Sequence, residues 1–200
     1  MVEFYTMDIG KLTDPMNDPQ LLENLGVQRK EKILKCKREL SRKQSFGAGL
    51  LLKQCFDQYG IDMDSIRYNE KGKPEVDGFF FNLSHSEDYV VLAVSDKPVG
   101  CDIEKIKSAR EGIARRYFSD KENRYLESFH GESLVQEFYR IWTIKESYVK
   151  MTGEGISLSK ALPEVRFEEK IYIYRDGKRL SCNIEEHEID GYKCSVCSLE

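Results

Sequence analysis

The spacing of hydrophobic and polar residues changes period along the first half of the chain, which predicts strands on either side of a long helical region. Residues 4–9 alternate loosely, as in an opening strand. Leu, Ile and Phe then recur at helical spacing over residues 21–59. Ser41 is the predicted N-cap of a second helix over residues 43–59, which ends at Gly60. The later strands are predicted over residues 79–83, 89–94 and 99–104, with a turn at residues 71–74 and a polar connection over residues 84–88.

The second half of the chain repeats this order of helices and then strands. Helical pieces are predicted over residues 110–129, and a longer helix over residues 133–151 begins with a capping box of Ser133 and Gln136 and stops at Gly153. The strands that follow are a hairpin of residues 170–175 and 179–184 around a type I′ turn at Asp176-Gly177, and a last strand over residues 192–198. The sequence therefore predicts an α+β fold of two tightly packed halves, residues 1–100 and 101–200.

Composition narrows the classes of function. The 200 residues carry a net charge of −4, which argues against a general nucleic-acid binder because such binding needs surplus Lys and Arg. No apolar run approaches the roughly 18 residues that a membrane span requires, and the N-terminus lacks the features of a signal peptide. The six cysteines are scattered, which is typical of reduced, mostly buried thiols. We therefore expect a cytoplasmic protein without a membrane anchor.

Cys194 and Cys197 have the spacing of one half of a zinc ribbon. The sequence offers no second ligand pair, and His187 alone would not complete a tetrahedral site. A buried strand is the favoured interpretation of this segment.

Asp102 and Glu104 follow an apolar run and stand two residues apart. Side chains repeat every second residue in an extended chain, so both carboxylates point to the same side. Such a pair is often simply exposed to water at the end of a strand and has no further role. Because these two emerge at the end of a buried strand, where like charges repel, a cation between them is the functional interpretation.

Glu146 and Lys150 share one face of the predicted helix because they are four residues apart. The simplest interpretation is a surface ion pair worth a few tenths of a kcal/mol. Trp142, one turn before Glu146, is rarely fully exposed in proteins, so Glu146 borders the packed face and suits a metal ligand. Three convergent carboxylates with a nearby cation describe a site for a hard divalent metal and a phosphate.

Polar residues elsewhere are ambiguous by themselves. Ser84 and His85 stand near a strand end, where they could donate hydrogen bonds to a phosphate or serve only as surface residues. The basic residues between Arg29 and Lys43 form a solvated helix face unless they point into the same cleft. Lys73, in a Gly-Lys-Pro turn, allows both interpretations.

Four segments, taken together and in this order, resemble the 4′-phosphopantetheinyl transferase superfamily, and in particular the two-domain type that activates peptide and polyketide synthetases. These segments are residues 82–86, 100–104, 116–119 and 142–150. The Gly-Lys-Pro turn and the basic first helix also fit, so the likeness covers nearly the whole chain. Two departures stand out: Cys101 replaces a branched aliphatic residue, and Gln44 with Ser45 replaces a basic residue followed by a hydroxyl.

The resemblance implies a pseudo-dimer of two similar α+β halves with coenzyme A bound in the cleft between them. Asp102, Glu104 and Glu146 match the family's Mg²⁺-binding acids, and Glu146 and Lys150 match positions with catalytic roles. The positions matched to coenzyme A contacts are Arg29, Lys32, Ser45, Lys73, Ser84, His85, Asp102 and Lys150.

The implied activity is transfer of the phosphopantetheine arm of coenzyme A to a serine of an apo acyl or peptidyl carrier protein, with release of adenosine 3′,5′-bisphosphate. Residues 118–134, which include Tyr125 and Phe129, are the candidate carrier-docking surface by position, and a monomer is expected. A second hypothesis is a non-catalytic coenzyme A or nucleotide-binding module. A third is an α+β interaction domain whose charge clusters are only solvated.

Overall fold

A computed structural model describes residues 1–70, 72–108, 111–155 and 162–200, with only the backbone of Glu111. Lys71 of the predicted turn, and Arg110, where the helical pieces were expected to begin, lie outside the described residues. The chain divides into two compact units, Met1–Asp96 and Lys97–Glu200.

The first unit is built on a three-stranded antiparallel sheet. In chain order its elements are β1 (Val2–Asp8), α1 (Val27–Leu34), α2 (Glu39–Tyr59), β2 (Arg67–Tyr68), β3 (Pro74–Glu75), β4 (Phe80–Ser86) and β5 (Tyr89–Ser95), with 3₁₀ turns at Pro19–Leu22 and Met63–Ser65. β5 lies between β1 and β4, and β2 pairs with β3 in a separate ribbon. Leu52 and Phe56 of α2 pack with Val90 and Leu92 of β5, so one face of α2 and one face of the sheet form the core of this unit.

The start of α2 corrects the prediction for Ser41. The helix begins at Glu39, and Arg38 rather than Ser41 occupies the N-cap position with an extended backbone. Arg42 explains the earlier start, because its Nε donates to both carboxylate oxygens of Asp14, at 3.0 and 3.1 Å, while its backbone N–H bonds the carbonyl of Arg38. The predicted end is confirmed: Gly60 has φ of 66°, a left-handed conformation that glycine adopts without strain.

β4 extends further than the sequence predicts. Ser84, His85 and Ser86 belong to the strand, paired with Val91, Val90 and Tyr89 of β5, rather than to a polar connection. The turn is therefore only two residues long, Glu87 and Asp88, and Glu87 has a positive φ of 46°. The polar residues of this segment are thus held rigidly on a strand.

The second unit places one long helix on an antiparallel sheet. In chain order its elements are β6 (Val99–Lys105), α3 (Glu111–Tyr117), α4 (Asp120–Leu126), α5 (Gly131–Thr152), β7 (Glu164–Phe167), β8 (Ile171–Arg175), β9 (Lys178–Arg179), β10 (Cys182–Ile189) and β11 (Tyr192–Leu199). β11 lies between β6 and β10, while β7, β8 and β9 form a second sheet. Phe138, Ile141 and Ile144 of α5 pack in one hydrophobic core with Phe118 and Cys197.

Two predicted boundaries in the second unit are wrong. α5 begins at Gly131 with His130 as its N-cap, so Ser133 lies inside the first turn, where its Oγ donates to the His130 carbonyl at 2.8 Å. The Asp176-Gly177 turn is present, with both residues at positive φ as a type I′ turn requires. The strand after it is split, because β9 ends at Arg179 and β10 pairs with β11 in the other sheet.

The α+β class is confirmed by these mixed helices and antiparallel sheets. Cys194 and Cys197 lie on β11 and are buried, as the strand interpretation expects, and all six cysteines carry free thiols. Within the described ranges, no helix combines the length and the apolarity needed to cross a membrane.

The C-terminal end of α5 gives a stability prediction. Gly153 has φ of 69° and open space where a Cβ would stand, so Gly153→Ala should cost about 1–2 kcal/mol through backbone strain alone. Gly112 of α3 also has open space but no positive φ, so Gly112→Ala should stabilise the protein by about 0.5–1 kcal/mol. Urea unfolding of both variants tests this pair. Equal effects of the two substitutions would contradict the assignment of strain to Gly153.

Candidate active site

β6 presents two carboxylates on one side of the second unit's sheet. Asp102 pairs in register with Ser195 of β11, and Glu104 pairs with Lys193. Asp102 is only 4% exposed, while Glu104 is half-buried one step further along the strand. The predicted common direction of these carboxylates follows from the regular strand.

α5 brings a second acid and a lysine to the same place. Lys150 Nζ donates to Asp102 Oδ1 at 2.6 Å, so the ion pair of Lys150 reaches across to β6 and is not merely a contact along the helix surface. Trp142 is buried one turn before Glu146, as expected. The charges of Asp102 and Lys150 both act on Glu146, so the structure brings these three residues together.

The pKa of Glu146 is shifted because this residue is buried and several acids lie close together at this place. The pKa of Glu146 is raised to about 7. Burial is the largest cause, the charges of Asp102 and Glu104 add to it, and the charge of Lys150 partly opposes it. Burial lowers the pKa of Lys150, but Asp102 and other neighbours outweigh burial, so this pKa lies above its usual range. At neutral pH the site therefore combines a carboxyl group that readily gains or loses a proton with a firmly charged ammonium.

Gly100 allows α5 to approach β6 this closely. A Cβ at this position would lie 2.1 Å from the Ser147 carbonyl oxygen and 2.3 Å from the Met151 backbone nitrogen. Both atoms belong to the backbone of the helical turns that carry Glu146 and Lys150. The distance between helix and strand, and with it the geometry of the site, depends on the absence of a side chain here.

The donor set has the chemistry of a magnesium site, since carboxylate oxygens are the ligands that hard divalent cations prefer. The raised pKa of Glu146, caused partly by Asp102 and Glu104, shows that the three acids interact. In the described part of the chain, however, no group of three or more His, Cys, Asp or Glu side chains is gathered as a metal site requires. The metal assignment of Asp102, Glu104 and Glu146 stays a prediction.

Two of the matched residues in the first unit, Arg29 and Lys32, lie beside Tyr68. Arg29 is 4% exposed, and its guanidinium donates to the Ser45 carbonyl at 3.1 and 2.7 Å. Burial lowers the pKa of Arg29, and Tyr68 partly offsets this. Lys32 Nζ stands 5.7 Å from the centre of the Tyr68 ring. Sequence reasoning missed Tyr68, which shows no motif of its own.

Ser45 and its neighbour Gln44 differ in their hydrogen bonding. Ser45 Oγ is buried and makes no hydrogen bond within the residues that the structure describes. Gln44 Nε2 donates to the Glu87 carbonyl at 3.0 Å and so supports the turn after β4. The buried Ser45 hydroxyl thus has unused hydrogen-bonding capacity among the described residues, whereas the Gln44 amide has a structural contact.

The other matched residues of the first unit are Lys73, Ser84 and His85. Lys73 is half-buried, which lowers the pKa of its ammonium, and it precedes Pro74, the partner of Tyr68 in the β2–β3 ribbon. Ser84 is buried and His85 is exposed, because adjacent residues of a strand face opposite sides. The two side chains therefore do not present one joint surface.

The two aromatic residues of the candidate carrier-docking segment are only half-exposed. Tyr125 is half-buried, stacks on Phe167 with ring centres 5.0 Å apart, and donates its hydroxyl to Glu137 at 2.9 Å. Phe129 is half-buried beside Tyr125, with ring centres 5.0 Å apart. These rings mainly hold α4 to the rest of the unit.

Sequence reasoning also missed an ion pair between Glu122 and Lys145, both almost completely buried, with Nζ 2.8 Å from Oε1. A signal was present. Ser119 and Glu122 have capping-box spacing, and Lys145 interrupts an otherwise apolar helix face.

Comparisons with known proteins give concordant results. A family model described as the 4′-phosphopantetheinyl transferase superfamily matches residues 98–197. A relative from Bacillus subtilis, the 4′-phosphopantetheinyl transferase ffp, is 35% identical over 92% of this chain and 88% of its own. The 4′-phosphopantetheinyl transferase gsp of Aneurinibacillus migulanus is 39% identical over 76% of this chain and 67% of its own.

Sfp of Bacillus subtilis strain 168, a third 4′-phosphopantetheinyl transferase, is 34% identical over 84% of this chain and 80% of its own. A solved holo-(acyl-carrier-protein) synthase from Bacillus anthracis shares 18% identity, with a TM-score of 0.45 over 52% of this chain and 95% of that one.

The close approach at Gly100 gives a second prediction. Gly100→Ala places a methyl group against backbone atoms that no side-chain rotation can move, so α5 must shift away from β6. We expect a loss of about 1–3 kcal/mol in the free energy of unfolding. Gly112→Ala, the same change in open space, is the matched control. A variant as stable as the unchanged protein would show that this contact is not tight.

The raised pKa of Glu146 gives a third prediction, for protein without added metal. Its pKa is 4.5 by reference and about 7 when folded, so its contribution to stability is present below pH 4.5 and is lost as pH rises through 7. Glu146→Gln removes this loss and should stabilise the fold at pH 8 by about 2–3 kcal/mol relative to the unchanged protein.

Glu188 of β10 is exposed, so Glu188→Gln is the control, with an expected effect within about 0.5 kcal/mol. Urea unfolding with a chelator, at pH 4.5 and pH 8, measures both variants. A Glu146→Gln protein that is less stable than the unchanged protein at pH 8 would overturn the electrostatic description of the site.

Proposed function

This chain belongs to the 4′-phosphopantetheinyl transferase superfamily, and we propose that it transfers the phosphopantetheine arm of coenzyme A to a carrier protein. The match to the family model and the identity with its relatives over most of the chain show this membership. The chain is therefore an enzyme of this class, and the proposal concerns its substrates, its metal and the roles of its residues.

The proposed substrates are coenzyme A and an apo acyl or peptidyl carrier protein. A serine Oγ of the carrier attacks the β-phosphorus of coenzyme A and forms the new P–O bond. The bond from that phosphorus to the bridging oxygen breaks, so adenosine 3′,5′-bisphosphate leaves and the phosphopantetheine arm stays on the serine. The serine proton goes to a base of the enzyme.

Glu146 is the proposed base. In the protein without metal its pKa is about 7, so it is substantially ionised at neutral pH and more basic than a solvated carboxylate. General-base assistance of this kind is worth about 10²–10⁴-fold in rate. The observation that carries the proposal is the convergence of this carboxyl group with Asp102 and Lys150.

Lys150 is proposed to act on the leaving group. Its ammonium is charged throughout the neutral range because neighbouring carboxylates raise its pKa. In the structure it bonds Asp102, which orients it on the inner face of α5. From there it would donate to an oxygen of the leaving phosphate and stabilise the charge that develops.

Asp102, Glu104 and Glu146 would hold Mg²⁺. When bound, the ion supplies Lewis-acid neutralisation of charge on the phosphate oxygens. The support for this assignment is the donor chemistry of the three acids and their mutual effect on the pKa of Glu146.

The first unit is proposed to bind the nucleotide end of coenzyme A. The buried Ser45 hydroxyl and the ammonium of Lys32 near Tyr68 support this assignment. The residues proposed to contact coenzyme A in this unit are Arg29, Lys32, Ser45, Lys73, Ser84 and His85.

The carrier is proposed to dock on residues 118–134. Carrier proteins present an acidic helix, so a basic surface would steer their approach. Lys121 and Arg124 of α4 are exposed, but Glu127 and Glu132 of the same segment are exposed too, so this segment is proposed by its position and not by its charge. The half-buried rings of Tyr125 and Phe129 contribute only their outer edges.

The test is transfer measured by intact mass, with coenzyme A, Mg²⁺ and a panel of apo carrier proteins. Asp102→Asn and Glu146→Gln should each lower the transfer rate at least about 100-fold, since each removes charge from the reacting centre. Glu188→Gln is the control and should transfer at the normal rate. A chelator should stop the reaction of the unchanged protein.

Normal transfer by Glu146→Gln would refute its role as base. Coenzyme A binding without transfer to any carrier of the panel would favour the non-catalytic binding module instead. Calorimetry of coenzyme A binding separates that outcome from a failure to bind.

A further inference from the structure

The ion pair of Glu122 and Lys145 is the most deeply buried charged contact among the described residues. Their side chains are 1% and 0% exposed, and Nζ lies 2.8 Å from Oε1. Burying two charges is expensive, and hydrophobic residues of the same volume often stabilise a protein as well or better. Stability alone therefore does not explain why this pair occupies the core.

The hydrogen bonds of the pair connect three elements. Glu122 Oε1 also accepts the backbone N–H of Val165 in β7 at 2.8 Å, and Oε2 accepts the N–H of Ser119 before α4 at 2.6 Å. Lys145 Nζ donates to the Pro163 carbonyl at 2.6 Å. The pair thus joins the beginning of α4, the middle of α5 and the beginning of β7 through contacts of fixed direction.

Lys145 directly precedes Glu146 on α5. Consecutive residues of an α-helix are rotated by about 100° around its axis, so holding the direction of one side chain also sets the direction of the next. Ten further residues of α5 are buried, and they lie on several sides of the helix. Hydrophobic burial therefore favours one rotation of α5 over another less strongly than it would for a helix with a single buried face. A hydrogen-bonded pair distinguishes one rotation from its neighbours, whereas apolar packing is not directional.

We propose that Glu122 and Lys145 are positioning residues that fix the rotation of α5, so that Glu146 and Lys150 face Asp102 and Glu104. The pair touches neither substrate nor the reacting atoms. Its effect on catalysis depends on the proposed transfer reaction, whereas its effect on the mobility of α5 does not.

The test compares two variants. Lys145→Met leaves Glu122 with its two backbone donors, and the double variant Glu122→Gln/Lys145→Met leaves no buried charge. Both should lower kcat by about 10–100-fold, because small displacements of catalytic groups have effects of this size. The KM for coenzyme A should stay within about twofold, since the contacts proposed in the first unit are untouched.

Hydrogen exchange gives a readout that needs no substrate. Amides of residues 143–150 should exchange at least about tenfold faster in the folded double variant than in the unchanged protein. Lys53→Met is the matched control, because Lys53 makes an ion pair with Asp57 at the surface of α2. It should change neither kcat nor the exchange of α5.

A folded double variant with normal kcat and normal exchange would overturn the proposal. A fall in kcat equal to the unfolded fraction, measured by circular dichroism, would also overturn it. If neither variant folds, the pair serves folding rather than positioning, and the proposal is wrong. If the unchanged protein transfers no arm, the proposed function fails, yet the exchange experiment still decides whether the pair holds α5.

Discussion

The second unit depends on the contact between α5 and β6 at Gly100. A glycine at this position allows the backbone of the helix to approach the strand so closely that a Cβ would strike Ser147 and Met151. Asp102 and Glu104, two residues apart on β6, then face Glu146 and Lys150, four residues apart on α5. Lys150 Nζ lies 2.6 Å from Asp102 Oδ1. Neither periodicity alone brings these groups together, so the chemistry of the site depends on a packing distance.

That close packing has an electrostatic cost. Burial and the neighbouring acids raise the pKa of Glu146 to about 7, so the folded protein is destabilised when this residue is ionised. Lys150 offsets part of this destabilisation, because its ammonium attracts the same acids. A carboxyl group in such a state accepts a proton more readily than a solvated one, which is the property that a base near neutral pH requires. The destabilising feature of the fold and the proposed catalytic feature are the same group.

The sequence predicts the parts of this arrangement that depend on local periodicity. The common side of Asp102 and Glu104, the ends of α2 and α5 at Gly60 and Gly153, and the shared face of Glu146 and Lys150 follow from strand and helix spacing. Contacts between distant segments are different. Ser41 looks like an N-cap, but Asp14 anchors Arg42 and starts the helix earlier. Lys145 stands out in an apolar face, yet its spacing does not identify Glu122 as its partner.

The contacts that define α5 are unevenly distributed along it. Gly100 lies against residues 147–151, and the buried pair holds Lys145, so both act on the two turns that carry Glu146 and Lys150. Nearer the N-terminus, Arg140 is held by partly exposed contacts, with Nε and Nη2 each 2.7 Å from a carboxylate oxygen of Glu186. Exposed ion pairs fix geometry less firmly than buried ones, because water competes for them. The helix is thus most constrained where the proposed chemistry requires accurate placement, and less constrained beside the segment proposed to receive a carrier.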